Sequence, residues 1–83
     1  MEEDNMANPE HLAILKKGAE ARNEWREQNP DIVPDLRKAN LIEYALVGIH
    51  FTRTDLRNVN LAGAQLSNSN LMYANLRGRR MTK

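Results

Sequence analysis

The sequence predicts one small domain in two unlike parts: an amphipathic helix, then an array of five-residue repeats. The array declares itself by spacing. A large apolar residue falls at Leu36, Leu41, Leu46, Phe51, Leu56, Leu61, Leu66, Leu71, Leu76 and Met81, ten times without a slip. That period matches neither the 3.6 of a helix nor the 2 of a flat strand, so a superstructure must impose it. The helix declares itself by punctuation, with Asn8-Pro9 at its start and Asn29-Pro30 at its end.

At 83 residues the chain makes one domain at most. Its aromatics are few: Trp25, Tyr44, Phe51 and Tyr73. There is no cysteine, so neither disulfides nor thiolate metal sites arise. His11 and His50 stand far apart without ligand-like neighbours, and no metal or cofactor is expected. No apolar run approaches membrane-spanning length. The acidic Met1-Glu2-Glu3-Asp4 start is unlike a secretory leader, so the expected location is cytoplasmic. Charge is divided. Residues 1–33 carry eight acidic and four basic groups, net −4, and residues 34–83 carry eight basic and three acidic, net +5.

Residues 1–8 read as a disordered polar start, 9–33 as a capping helix and linker, and 34–83 as the repeats. Asn8 suits an N-cap, Pro9 the first helical position, and Glu10 the dipole of the first turn. One helix is expected from about Pro9 to Gln28, with Ile14, Leu15, Ala21 and Trp25 as its apolar stripe and Gly18 on the same side. Such a helix must cover something, and the nearest apolar surface is the start of the array. It reads as a cap that buries Ile14, Leu15 and Trp25 and blocks an open edge. A membrane-surface helix is the weaker reading, because the polar face is acidic.

Taking the large apolar residue as i, position i−1 is mostly Asn or Asp and position i−2 mostly small. Ala39-Asn40-Leu41, Ala64-Gln65-Leu66 and Ala74-Asn75-Leu76 show this most clearly. The pattern resembles the pentapeptide-repeat family, whose motif is Ala-(Asp/Asn)-Leu-X-X, over all of residues 34–83. The resemblance implies an all-β solenoid: a right-handed quadrilateral β-helix of about two and a half coils, with the N-terminal helix as its cap. It also implies that i and i−2 point inward and that residues twenty apart stack. Asp35-Leu36-Arg37 indeed recurs as Asp55-Leu56-Arg57 and, degraded, as Asn75-Leu76-Arg77. The ten i residues are then the core. Asn and Asp at i−1 suit tight corners, because their side chains bond the local backbone. Tyr44, Ile49 and Val59 are large for i−2, and Arg79 should stay outside.

Arg37, Arg57, Arg77, Met72 and Tyr73 are read as a possible binding face. The arginine column reads first as a solvated ladder with Asp35 and Asp55, second as a polyanion surface. Ile42, Val47, Met72 and Tyr73 are outward apolar residues, either scattered or a partner contact. Nothing caps the C-terminal end, so a homodimer through that open coil is a candidate assembly. No nucleophile–base pair, opposed carboxylates or phosphate loop occurs, so no enzyme and no catalytic residue are expected.

Some family members are acidic DNA mimics that act on type II topoisomerases. This short, basic array departs from them. The expected function is a non-enzymatic protein-interaction or scaffold module of a bacterial kind, with another protein as partner. The alternative is a nucleic-acid-associated or topoisomerase-directed factor acting through the basic face.

Overall fold

The structure, a computed structural model, describes residues 7–82. Most of the polar start read as disordered, residues 1–6, lies outside the described residues. Two helices come first, α1 (Pro9–Lys16) and α2 (Ala19–Gln28). Asn8 caps α1 as its sequence requires: Oδ1 accepts from the Glu10 N–H at 2.8 Å and the His11 N–H at 3.3 Å.

The single helix expected over 9–28 is therefore two. Gly18 breaks it at φ 111°, a left-handed conformation that costs a side-chain-bearing residue energy. The buried face also differs from the expected stripe, though it keeps helical spacing across the break. Leu15 and Arg22 are buried, and Leu12 and Ala19 pack on the core beside them, whereas Ile14 and Trp25 are only half-buried.

The array runs from residue 34. The all-β solenoid expected there, a right-handed quadrilateral β-helix, is corrected by the structure. Among the described residues regular secondary structure is confined to the two helices, and no β-strand forms. Repeats meet through isolated parallel bridges: Asp35 with Asp55, Asn40 with Asn60, Ala45 with Gln65, His50 with Asn70, Asp55 with Asn75 and Asn60 with Arg80. A strand needs consecutive paired residues, and here each repeat gives one residue to pairing and then turns.

The turn is the same in every repeat. The Ala39 N–H donates to the Leu36 carbonyl at 3.1 Å, and the equivalent bond closes each later repeat, as from Val59 to Leu56 at 3.2 Å. The residue at i+2 is left-handed throughout: Lys38, Glu43, Gly48, Arg53, Asn58, Gly63, Asn68, Tyr73 and Gly78. That is the sign of φ a type II turn demands at its third residue. The Asn or Asp at i−1 bonds locally, but to the residue entering the turn. Asn40 Oδ1 accepts from the Ile42 N–H at 3.2 Å and Asn70 Oδ1 from the Met72 N–H at 3.0 Å.

Residues twenty apart thus form layers: 34–53, 54–73 and the start of a third. The core lies inside the first two. Leu36, Leu41, Leu46, Phe51, Leu56 and Leu61 are buried, with Ala39, Ile49, Thr54 and Val59 from i−2 between them. Ile49 and Val59 fit despite their size; Tyr44 is half-buried and Arg79 lies outside. Leu66, Leu71 and Leu76 are half-buried and Met81 is 45% exposed. The ten-member core expected from periodicity therefore thins along its length, because the last members have one packed neighbouring layer instead of two.

Leu56→Ala should destabilise the protein by about 3 kcal/mol, the cost of a cavity in a filled core, and Met81→Ala by less than about 1 kcal/mol. Urea unfolding of both variants measures this; equal losses would contradict the gradient.

Candidate interaction surface

The first layer meets the helices through polar side chains. Asn23 of α2 spans two backbone groups: its Nδ2 donates to the Gly48 carbonyl and its Oδ1 accepts from the His50 N–H, each at 2.9 Å. Arg26 Nη1 donates to the carbonyls of Asn29, Pro30 and Ile32 at 2.9, 3.2 and 3.1 Å. Its Nη2 reaches the Thr52 carbonyl at 3.4 Å. Arg26 thereby pins the end of α2 and the linker to the layer.

This pinning shapes a groove of about 390 Å³, lined by Arg26, Glu27 and Pro30 on one side and by His50, Thr52, Arg53, Met72 and Tyr73 on the other. Met72 is 60% exposed and Tyr73 77% exposed. Tyr73 occupies the left-handed turn position at φ 62°. A bulky side chain there is disfavoured, and Gly or Asn would be cheaper. Beside it the Arg53 guanidinium makes no ion pair among the described residues.

The arginine column lies on another row. Arg37 grips Asp35 in a fork, Nε to Oδ1 and Nη2 to Oδ2, both 2.8 Å. Arg57 grips Asp55 the same way at 2.9 and 2.7 Å. Arg37 Nε also lies 3.9 Å from Asp55 Oδ2, joining the forks across layers. Below them Asn75 replaces the aspartate. It keeps the local bond to the Arg77 N–H at 3.1 Å, and Arg77 makes no ion pair among the described residues. The column is therefore largely charge-compensated. The structure separates it from Met72 and Tyr73, which belong to the row of His50 and Asn70. Ile42 and Val47 are exposed on two further rows, so the outward apolar residues form no single patch.

The forks hold both carboxyls below the usual carboxylate range. In each case the arginine side-chain bond is the main cause, partly opposed by burial.

Sequence reasoning missed Arg22. Its side chain is 1% exposed, with the guanidinium carbon 5.4 Å from the Trp25 ring centre and 5.8 Å from that of Phe51. Among the described residues, Nη1 and Nη2 have no hydrogen-bond partner. Burial, helped by Arg26, pulls its pKa down to about 10. The only hint in the sequence is spacing, since Arg22 falls in line with Leu12, Leu15 and Ala19 at i, i+3, i+7 and i+10. Among the described residues no helix is long and apolar enough to cross a membrane, and no group of side chains could hold a metal.

Two outcomes test these charges. Arg22→Met keeps the volume and the ring contacts but removes the unpartnered cation, so it should stabilise the protein by about 1 to 3 kcal/mol; a lower thermal midpoint would refute this. Asp55 has its carboxyl depressed in the folded state, so its contribution is present above the ordinary carboxylate value and disappears as pH falls through the folded one. Asp55→Asn keeps an acceptor for the Arg57 N–H. Its urea midpoint should therefore fall less than wild type between about pH 5 and about pH 2. Identical acid profiles would contradict the fork's role.

A family model described as pentapeptide repeats matches the chain in eight copies, over residues 35–71 and 49–83. No curated protein and no solved structure matches it. The matched span exceeds half of the chain and coincides with the turn-and-bridge array. The protein belongs to the pentapeptide-repeat family and carries a repeat-protein module.

Proposed function

We propose that this protein is a non-enzymatic protein-interaction module, cytoplasmic in location, whose working surface is the groove between α2 and the His50–Asn70 row. Tyr73 is the observation that carries this reading. A large aromatic side chain stands exposed at a turn position it occupies at a conformational cost, with Met72 next to it. Residues held in sparsely populated backbone conformations cluster where function keeps them, and exposed aromatic and methionine side chains are favoured anchors in protein interfaces. Arg53 adds an uncompensated cation at the rim. The partner of best fit is a protein segment that seats an apolar side chain on Met72 and Tyr73 and sets a carboxylate against Arg53.

The polyanion reading has less support, since Asp35 and Asp55 already occupy two of the three column arginines. A second copy of the chain is a further candidate partner.

A benzophenone side chain placed at position 73 should form a protease-sensitive adduct in a cell lysate on irradiation. The same probe at position 47, on another row, should not, and Arg53→Glu should weaken the adduct on the order of tenfold, the loss of one charge-assisted contact. No adduct at 73, equal adducts at 47, or a nuclease-sensitive adduct would overturn the reading.

A further inference from the structure

The first layer has no layer beneath it, so backbone groups that pair between layers elsewhere need substitutes there. In the second layer the Asp55 N–H donates to the Pro34 carbonyl and the Asn70 N–H to the Ile49 carbonyl, at 2.9 and 3.1 Å. In the first layer their counterparts are served by the helices. Asn23 takes the His50 N–H. The Asp35 N–H donates to His11 Nδ1 at 2.9 Å, and the Asp35 carbonyl accepts from the Asn8 N–H at 3.0 Å.

His11 is the one substitute whose hydrogen-bonding role depends on pH. Accepting from a backbone N–H requires a bare Nδ1, so the neutral ring carries its proton on Nε2. A proton on Nδ1 would set one N–H against another at the distance of a hydrogen bond. The surroundings add to that conflict. The His11 ring lies 5.0 Å from the Trp25 ring, centre to centre, and Trp25 carries the buried Arg22 guanidinium on its other contact. Protonation would thus bring a second cation close to one that already has no partner at Nη1 and Nη2 among the described residues.

We propose that the α1–α2 pair is an acid-released latch with His11 as its trigger: protonation at Nδ1 breaks the bond to the Asp35 N–H, and the pair lifts from the first layer and bares its edge.

The charged groups facing His11 among the described residues come from all three packed elements. Burial lowers its pKa most, Asp35 of the first layer raises it, Arg22 of α2 lowers it, and Glu10 of α1 raises it, with a net lowering. The sign follows. The docked form prefers neutral His11, so docking is undiminished above the ordinary histidine value and weakens as pH falls from there through the lower docked value. Asp35 is already committed to the Arg37 fork and Asp55 to Arg57, and both carboxyls are held below the usual carboxylate range. The forks therefore persist while the latch opens. Release would bare the Asp35 and His50 N–H groups and the Gly48 and Thr52 carbonyls, an edge able to pair with an extended chain. It would also dismantle the groove, one wall of which is Arg26, Glu27 and Pro30. The latch stands on the helix contacts alone, whatever the groove binds.

The test is amide hydrogen exchange on the full chain, corrected for intrinsic rates, at about pH 7.5 and about pH 5, on either side of the ordinary histidine value. The Asp35 and His50 amides should lose protection at the lower pH. The Asn60 and Asn75 amides, bonded within the array to Ala39 and Thr54, should keep theirs. Trp25, the sole tryptophan, should shift its emission to the red in the same window. His11→Gln retains an acceptor but cannot titrate, so both readouts should stay flat. Unchanged Asp35 protection in wild type, or an equal loss in His11→Gln, overturns the latch. So does a neutral His11 ring protonated at Nδ1 in nitrogen NMR, a measurement that needs no variant.

Discussion

Two backbone hydrogen bonds, repeated at every fifth residue, organise this protein. At each bridge the i−1 N–H reaches back to the preceding layer, and the i−1 carbonyl accepts from the i N–H of that layer. The Asp55 N–H meets the Pro34 carbonyl, and the Leu36 N–H meets the Asp55 carbonyl, both at 2.9 Å. A third bond, such as Lys38 N–H to the Arg57 carbonyl at 3.0 Å, ties the turns together. Together they fix a register of twenty residues. Side chains then have their places: i and i−2 inside through the first two layers, i+2 outside, and i+1 mostly outside, with Ala62 buried. A slip by one residue would carry the leucines outward and the asparagines inward, which burial forbids.

The turns carry a conformational cost that this register makes unavoidable. Nine consecutive i+2 residues are left-handed, and five of them are Gly or Asn. At Gly78 a side chain would also run into the amide of Asn58, its counterpart one layer back. Lys38, Glu43, Arg53 and Tyr73 hold the same conformation with larger side chains and stand on the outside, where a partner can reach them. The left-handed turn thus displays side chains as well as closing repeats, and Tyr73 with Arg53 beside the groove is where that display is most concentrated.

The layers also explain the helices. A stacked backbone leaves one unpaired face at its first layer, and α1 and α2 supply Asn8, His11, Asn23 and Arg26 to that face. The contact combines these polar bonds with Leu12, Leu15 and Ala19 packed on the core, and it shuts in Arg22 against two aromatic rings. The polar part of that contact is sensitive to the charge state of its members, whereas the leucine part is not.

The sequence by itself determined the period, the inward positions, the family and the entry to the first helix. Each of these is local or strictly repeated: ten apolar residues at one spacing, and Asn8 beside Pro9. The local bonding of Asn and Asp at i−1 was also legible, because a short polar side chain reaches its own backbone in almost any fold. The recurrence of Gly and Asn at i+2 was there to be read as a left-handed turn and would have located the corner. Tertiary structure decided the rest. Whether paired residues form a strand depends on how many neighbours pair in succession, and the turns cut that run to a single residue. The burial of Arg22 against Phe51, the link from Arg37 to the neighbouring fork at Asp55, and the groove at Tyr73 join residues distant in the chain or set on different layers. No spacing in the sequence encodes such contacts, because they exist only once the helices have docked and the layers have closed.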